Sequence, residues 1–263
     1  FRALILGGLS LPFDLDPMLL NAQLTLEEKE ILSDLLEQRI ESSIPVPYLT
    51  HEAYFCDLSF YVDERVLIPR SPVAELIKEQ FSPWIEADKV EQILDLCTGS
   101  GCIAIACQYA FPAAAIDAVD ISSEALDVAE INLERHGLEE IINLIESDCF
   151  ADVPLTKYDV IISNPPYVSS EEMQTLPNEY YHEPVLALEA ANNGLAIVEK
   201  ILANAHNYLN DHGILIVEVG NSEDALIEAY PNVPFTWLEF EHGGQGVFLL
   251  TCEQLQQYFA GEK

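Results

Sequence analysis

The chain has 263 residues, 49% hydrophobic and 21% charged, which excludes a disordered chain and allows one large domain with a small appendage. Eleven Lys and Arg stand against 45 Asp and Glu, for a formal net charge of −34. A surface this negative repels nucleic-acid backbones and anionic lipids and attracts a basic protein; it also suits solubility or a salty habitat.

Six cysteines (Cys56, Cys97, Cys102, Cys107, Cys149, Cys252) follow no metal-ligand spacing and read as small thiols in a reducing cytosol. No apolar run reaches the ~18 residues of a membrane span. Residues 2–11 faintly resemble a signal-peptide core, but no small-residue cleavage site follows and Pro12 to Asp16 break the pattern. The start at Phe1 points to preceding sequence not included here, and the expected compartment is the cytoplasm.

In chain order, Thr25-Leu26-Glu27-Glu28 is a capping box that predicts a helix over 26–41, with Ile31, Leu32, Leu35, Leu36 and Ile40 on one face. Pro45 and Pro47 end it, and the aromatic and β-branched stretch 53–62 predicts a hairpin. Residues 1–64 therefore read as an accessory domain and 65–263 as the main one. Ser71-Pro72 predicts a helix through 81. Strands are predicted at 93–96, 115–119, 141–145, 160–163 and 214–219, with helices at 102–110, 123–135 and 195–209. Such alternation implies a parallel sheet covered on both faces. The last strands, 236–240 and 246–250, are too close for a crossover and predict an antiparallel hairpin through His242-Gly243-Gly244-Gln245.

The first strand of the α/β part runs into Asp95-Leu96-Cys97-Thr98-Gly99-Ser100-Gly101 and then a helix. Glycines let backbone approach a ligand, and the helix start offers free N–H groups. Asp120 ends the next strand, where an acid can accept both hydroxyls of a ribose. Gly99 to Ala104 also fits a dinucleotide fingerprint, so the loop alone leaves a nicotinamide cofactor and an adenosyl cofactor both open. Asp95, whose charge could meet an amino-acid ammonium, and the closing antiparallel hairpin favour S-adenosylmethionine. Asp148, after the third strand, is a candidate contact to the adenine amino group, with Cys149 or Phe150 beside the ring.

The fourth strand ends in Asn164-Pro165-Pro166-Tyr167. Two prolines remove two backbone donors and keep the chain extended. What remains are acceptors, the Asn164 side-chain oxygen and the Pro165 carbonyl, with the Tyr167 ring for stacking. That array suits a planar –NH2 group. Its nitrogen is a weak nucleophile because the lone pair is delocalised; accepting both hydrogens raises its electron density and directs it toward a sulfonium methyl. Asn164, Pro165 and Tyr167 are the candidate catalytic residues, and Asn164 to Tyr167 the candidate substrate grip.

The loop and the tetrapeptide together resemble the protein-glutamine N-methyltransferases, which include enzymes for release factors and for large-subunit ribosomal protein uL3. Residues 44–50, 60–72 and 176–184 resemble the ribosomal-protein branch, and the likeness runs from about residue 24 to the end. The resemblance implies a seven-stranded Rossmann-like class I methyltransferase sheet behind a small N-terminal helical and hairpin domain. It implies S-adenosylmethionine as cofactor, held by Cys97, Thr98, Gly99, Ser100, Gly101, Asp120, Cys149 and Asn164 beside the Asp95 and Asp148 already singled out, and basic uL3 as partner. Cys97 replaces the usual first glycine of the motif, and Cys149 stands where tryptophan is common in the release-factor branch; both shift the expected contacts toward backbone groups. Gly243-Gly244-Gln245 matches the tripeptide that release-factor enzymes recognise in substrates, although turn chemistry accounts for its glycines. His182 is the one histidine near the expected chemistry and reads as a packing residue. Release-factor methylation, DNA adenine methylation, a non-catalytic cofactor-binding protein and a nicotinamide oxidoreductase remain competing readings; the DNA reading lacks a basic groove.

Overall fold

The computed structural model describes residues 2–13, 15–16 and 18–261. Helix α1 (Arg2–Gly8) packs on α2 (Leu26–Ser42) at Gly8, where an added Cβ would stand 2.5 Å from Leu35 Cδ1. The capping box forms: Thr25 Oγ1 accepts the Glu28 N–H, and the Glu28 carboxylate accepts the Thr25 N–H. The apolar stripe of α2, however, is only partly used. Leu32 is buried, whereas Ile31 and Ile40 are 41% and 75% exposed. Among the described residues, short helical segments lie along this helix and leave Ile31 and Ile40 uncovered. A helix not expected from Val46-Pro47 follows, α3 (Val46–Thr50), with Pro in its first turn where no N–H is needed.

The predicted hairpin is β1 (Ala53–Phe55) and β2 (Leu58–Phe60). Cys56 and Asp57, at φ 50° and 64°, make the two-residue turn that matches strand twist. The hairpin is fastened to the main core: Phe55 and Phe60 pack with Ile77 and Ile103, and Ser59 O contacts His136 Nε2 at 2.9 Å.

Next come α4 (Val73–Lys78), β3 (Gln92–Leu96), α5 (Cys102–Ala110), β4 (Ala115–Asp120), α6 (Ser123–His136), β5 (Ile142–Glu146) and β6 (Tyr158–Ser163). Two short helices, α7 (Ser170–Met173) and α8 (Val185–Leu188), precede α9 (Ala196–Ala205), β7 (Leu209–Glu218), α10 (Glu223–Ala229), β8 (Thr236–Trp237), β9 (Val247–Thr251) and α11 (Cys252–Phe259). Helix α4 is shorter than predicted because Gln80 and Phe81 turn to φ 52° and 55°, burying Phe81 against Phe111 at 5.6 Å. Helices α10 and α11 were not expected, although α11 opens on a capping box of Thr251 and Gln254.

The seven-stranded sheet has the order β5-β4-β3-β6-β7-β9-β8, with β9 alone reversed. Alternate residues feed opposite faces: Val160 and Ile162 pack with α4 and α5, and Ile161 packs with α9 and α11. The buried runs therefore read as continuous apolar strands, as a doubly covered sheet requires. No described helix is long and apolar enough to cross a membrane.

Candidate active site

Leu96 pairs with Val119 on one flank and Ser163 on the other, so β3, β4 and β6 end side by side. The chain moves outward from β3 to β5 and returns to the opposite flank of β3 as β6. This reversal parts the loops that follow the strands and opens a crevice at their carboxyl ends. The cleft is walled by the glycine-rich loop, the end of β4, residues 147–149, Asn164 and Pro166, and a strap of residues 65–71.

The loop between β3 and α5 turns on left-handed residues: Cys97 at φ 60°, Gly99 at 55° and Gly101 at 78°. A non-glycine residue there costs about 1–2 kcal/mol, a strain that Cys97 brings to the turn. Gly99 has open space where a side chain would project, leaving its backbone accessible, while Gly101 lies close on Ala129 of α6. Asn132 of α6 braces this turn by donating to Ser100 O and Tyr61 O and accepting the Tyr61 N–H.

Asp120 holds the loop from β4, accepting N–H groups from Gly99 at 2.9 Å and Ser122 at 2.9 Å. Burial pushes its carboxyl up, against the lowering pull of those N–H groups. Its oxygens still have lone pairs for a diol, and it lines the cleft. Asp148 is engaged by Lys200 of α9, whose Nζ lies 2.9 and 2.7 Å from its two oxygens. Cys149, at φ 52°, also lines the cleft.

Asp95 corrects an expectation. It is fully buried behind the loop, where Oδ2 accepts from Thr98 Oγ1 at 2.5 Å and from the Ala104 N–H at 3.1 Å. Oδ1 has no partner, and burial pushes the carboxyl up to about 7. Asp95 therefore shapes the loop from beneath and does not face a ligand ammonium across the cleft.

The tetrapeptide divides. Asn164 and Pro166 line the cleft, but Pro165 is buried and not among its walls, and the Tyr167 ring is seated elsewhere than its stacking role implied. A Cβ at Gly220 would stand 2.5 Å from Tyr167 Cε2, so glycine is required beneath the ring. The hydroxyl of Tyr167 donates to Glu218 at 2.9 Å, and its carbonyl accepts from Ser222 Oγ at 2.7 Å.

Several contributors went unrecognised in the sequence. Glu183, 2% exposed at its side chain, accepts from Arg70 at 2.7 Å and from the Ile68 N–H at 3.1 Å, binding the strap to the segment after the tetrapeptide. Arg70 also lies 4.8 Å over the Tyr180 ring. Glu218 had a visible signal, a charge ending the apolar run Ile214 to Val217; Lys200 had none. His182 packs as expected, 2.7 Å from Ser42 O, beside the Arg39–Glu179 ion pair at 2.6 Å. Gly243, Gly244 and Gln245 lie in an exposed loop, where Gly244 rests on Pro72 and Gln245 donates to Asn221.

Residues 78–180 match the methyltransferase small domain family. The ribosomal protein uL3 glutamine methyltransferase of Francisella tularensis is 48% identical over 97% of this chain and 82% of its own length. The enzyme of the same description from Neisseria meningitidis is 51% identical over 96% and 83%. Among solved structures, the hMettl16 catalytic domain in complex with a MAT2A 3'UTR hairpin superposes with a TM-score of 0.58, covering 88% of this chain and 87% of that one at 15% identity; it shares the fold. With about half its residues shared along nearly the whole chain, this protein belongs to the ribosomal protein uL3 glutamine methyltransferase family.

Proposed function

We infer that the chain transfers the methyl group of S-adenosylmethionine to the side-chain amide nitrogen of a glutamine in ribosomal protein uL3, in the cytoplasm. The observation that carries this reading is the single cleft in which Asn164 and Pro166 meet Gly99, Asp120 and Asp148. Its residues fit the cofactor: an accessible glycine backbone, a diol acceptor at Asp120 and a second acid at Asp148. When bound, S-adenosylmethionine supplies an electrophilic methyl on a sulfonium centre.

The protein's contribution is placement. Asp120 would accept the ribose hydroxyls, and Asp148, steadied by Lys200, would offer its oxygens to the adenine amino group. Asp95 and Thr98 keep the loop in shape from behind. At the other end, the Asn164 side-chain oxygen accepts an amide hydrogen of glutamine, directing the nitrogen toward the methyl. Alignment and electrostatic support then replace a strong base, and the proton leaves after transfer, when the nitrogen is acidic. The net charge of −34 favours encounter with a basic ribosomal protein and opposes DNA. We assign residues 1–64 to substrate recognition and 65–263 to cofactor binding and catalysis; the contacts of α2 with Glu179 and His182 support the first assignment.

The test is methyl transfer from labelled S-adenosylmethionine to purified uL3, with a release factor and DNA in parallel. Label on a glutamine of uL3 alone is expected. Label on the release factor alone would keep the chemistry and change the substrate, and no label despite cofactor binding would remove the catalytic reading.

A further inference from the structure

Glu218 ends an apolar strand, is flanked by Val217 and Val219, and is only 6% exposed. A buried carboxylate costs several kcal/mol of desolvation and repays it only when its oxygens are well partnered. Here both are. Oε1 accepts from the Tyr167 hydroxyl at 2.9 Å and Oε2 from Ser71 Oγ at 2.5 Å. Ser71 Oγ in turn accepts the Val73 N–H at 3.2 Å, which fixes Ser71 at the start of α4. One carboxylate thus joins the end of β7, the Asn-Pro-Pro-Tyr loop and the strap that forms the facing wall of the cleft.

The rest of Tyr167 is already constrained. Gly220 lies against the ring, Ser222 holds its carbonyl, and a Cβ at Gly194 would stand 2.1 Å from that carbonyl oxygen. What these contacts leave free is the swing of the hydroxyl end and its distance from the strap. An apolar residue at 218 would fill the strand end without fixing either.

We propose that Glu218 is a positioning residue, which through Tyr167 and Ser71 sets the tetrapeptide loop against the strap so that the amide-binding end of the cleft has a fixed width. This inference rests on the reading of Asn164 to Tyr167 as the glutamine grip. It gives Tyr167 a role as a spacer tied to Glu218, in place of a ring stacked on substrate.

The test compares Glu218→Ala, Glu218→Gln, Tyr167→Phe and the double variant Glu218→Ala/Tyr167→Phe in methyl transfer to uL3, alongside cofactor affinity by calorimetry. Glu218→Ala and Tyr167→Phe should each lower kcat at least tenfold, with the cofactor Kd within threefold of the parent. The double variant should be no worse than the poorer single one, because both break the same link. Glu218→Gln should retain at least a third of kcat, since its amide oxygen still accepts the tyrosine hydroxyl. Multiplying losses in the double variant, or a Glu218→Ala enzyme with parental kcat, would overturn the proposal. Ring-13C-tyrosine NMR gives a readout independent of turnover, with the Tyr167 signal identified by its loss in Tyr167→Phe. That signal should move in Glu218→Ala and stay in Glu218→Gln. If no substrate is methylated, the functional reading fails while this signal still decides the link, and an unmoved signal in Glu218→Ala rejects it. Should Glu218→Ala not fold, Ser71→Ala, which cuts the strap end of the link, takes its place in the kcat and cofactor Kd measurements with the same expected direction, and a parental kcat there rejects the proposal.

Discussion

The two halves of the cleft are built differently. The half assigned to the cofactor is made mostly by consecutive elements, β3, its loop, α5 and the end of β4, with Lys200 of α9 reaching Asp148 from outside that run. Its loop offers backbone, shaped by the left-handed residues Cys97, Gly99 and Gly101 and tied by the Asp120 carboxylate at the Gly99 N–H. The substrate half is assembled from distant segments. Arg70 meets Glu183 across 113 positions, and Ser71 meets Glu218 across 147. A turn can carry a ligand-binding backbone by itself, but a side-chain wall of fixed width needs partners that only folding brings together.

The strongest way to break this division is to compare one residue from each half. Asn164→Ala should lower kcat about 10³-fold, the scale for removing one transition-state contact. Its cofactor Kd should change little in a direct binding measurement. Asp120→Ala should instead weaken cofactor binding by roughly 10–100-fold, the scale of charged hydrogen bonds. Equal loss of cofactor affinity in both variants would mean the two halves are not separable.

A smaller effect sharpens the account of the strap. Arg70→Ala leaves Glu183 buried without its cation and should cost about 3 kcal/mol in urea unfolding, at the low end for a broken buried pair because Arg70 is 38% exposed. The same variant should raise KM for the protein substrate more than Kd for the cofactor. A stability unchanged within error would show that the strap is held by the Ile68 and Ser71 contacts without it.

A pH profile tests Asp95. Its folded carboxyl lies near 7 and its unfolded one near 3.8, so the folded state binds the extra proton between those values. Stability contributed by this group therefore falls as pH rises from about 4 to 7. Asp95→Asn should flatten that part of the melting-temperature profile, since the amide cannot ionise. A profile identical to the parent's between pH 4 and 8 would show that Asp95 titrates normally.

Much of this was legible because it is local. The capping box at Thr25, the hairpin within 53–62, the buried strands and the reversed last strand all follow from neighbouring residues and their periodicity. The limits of α4 and α9 did not follow, because Phe81 turns back to meet Phe111 and Tyr208 is drawn into contact with Tyr158. The exposed stripe of α2 shows the converse: a helical period predicts which side chains share a face, and only packing decides whether that face is covered.

For the site, the sequence by itself determined the fold class, the glycine-rich loop and the places of Asp120 and Asn164 at strand ends, because each depends on backbone preferences or on patterns within a few residues. Tertiary structure alone decided that Asp95 supports the loop from behind, that Lys200 holds Asp148, and that Tyr167 is fastened to Glu218. Those outcomes turn on burial and on partners dozens of residues away, and no local pattern specifies which carboxylate will lie in water and which beneath a loop.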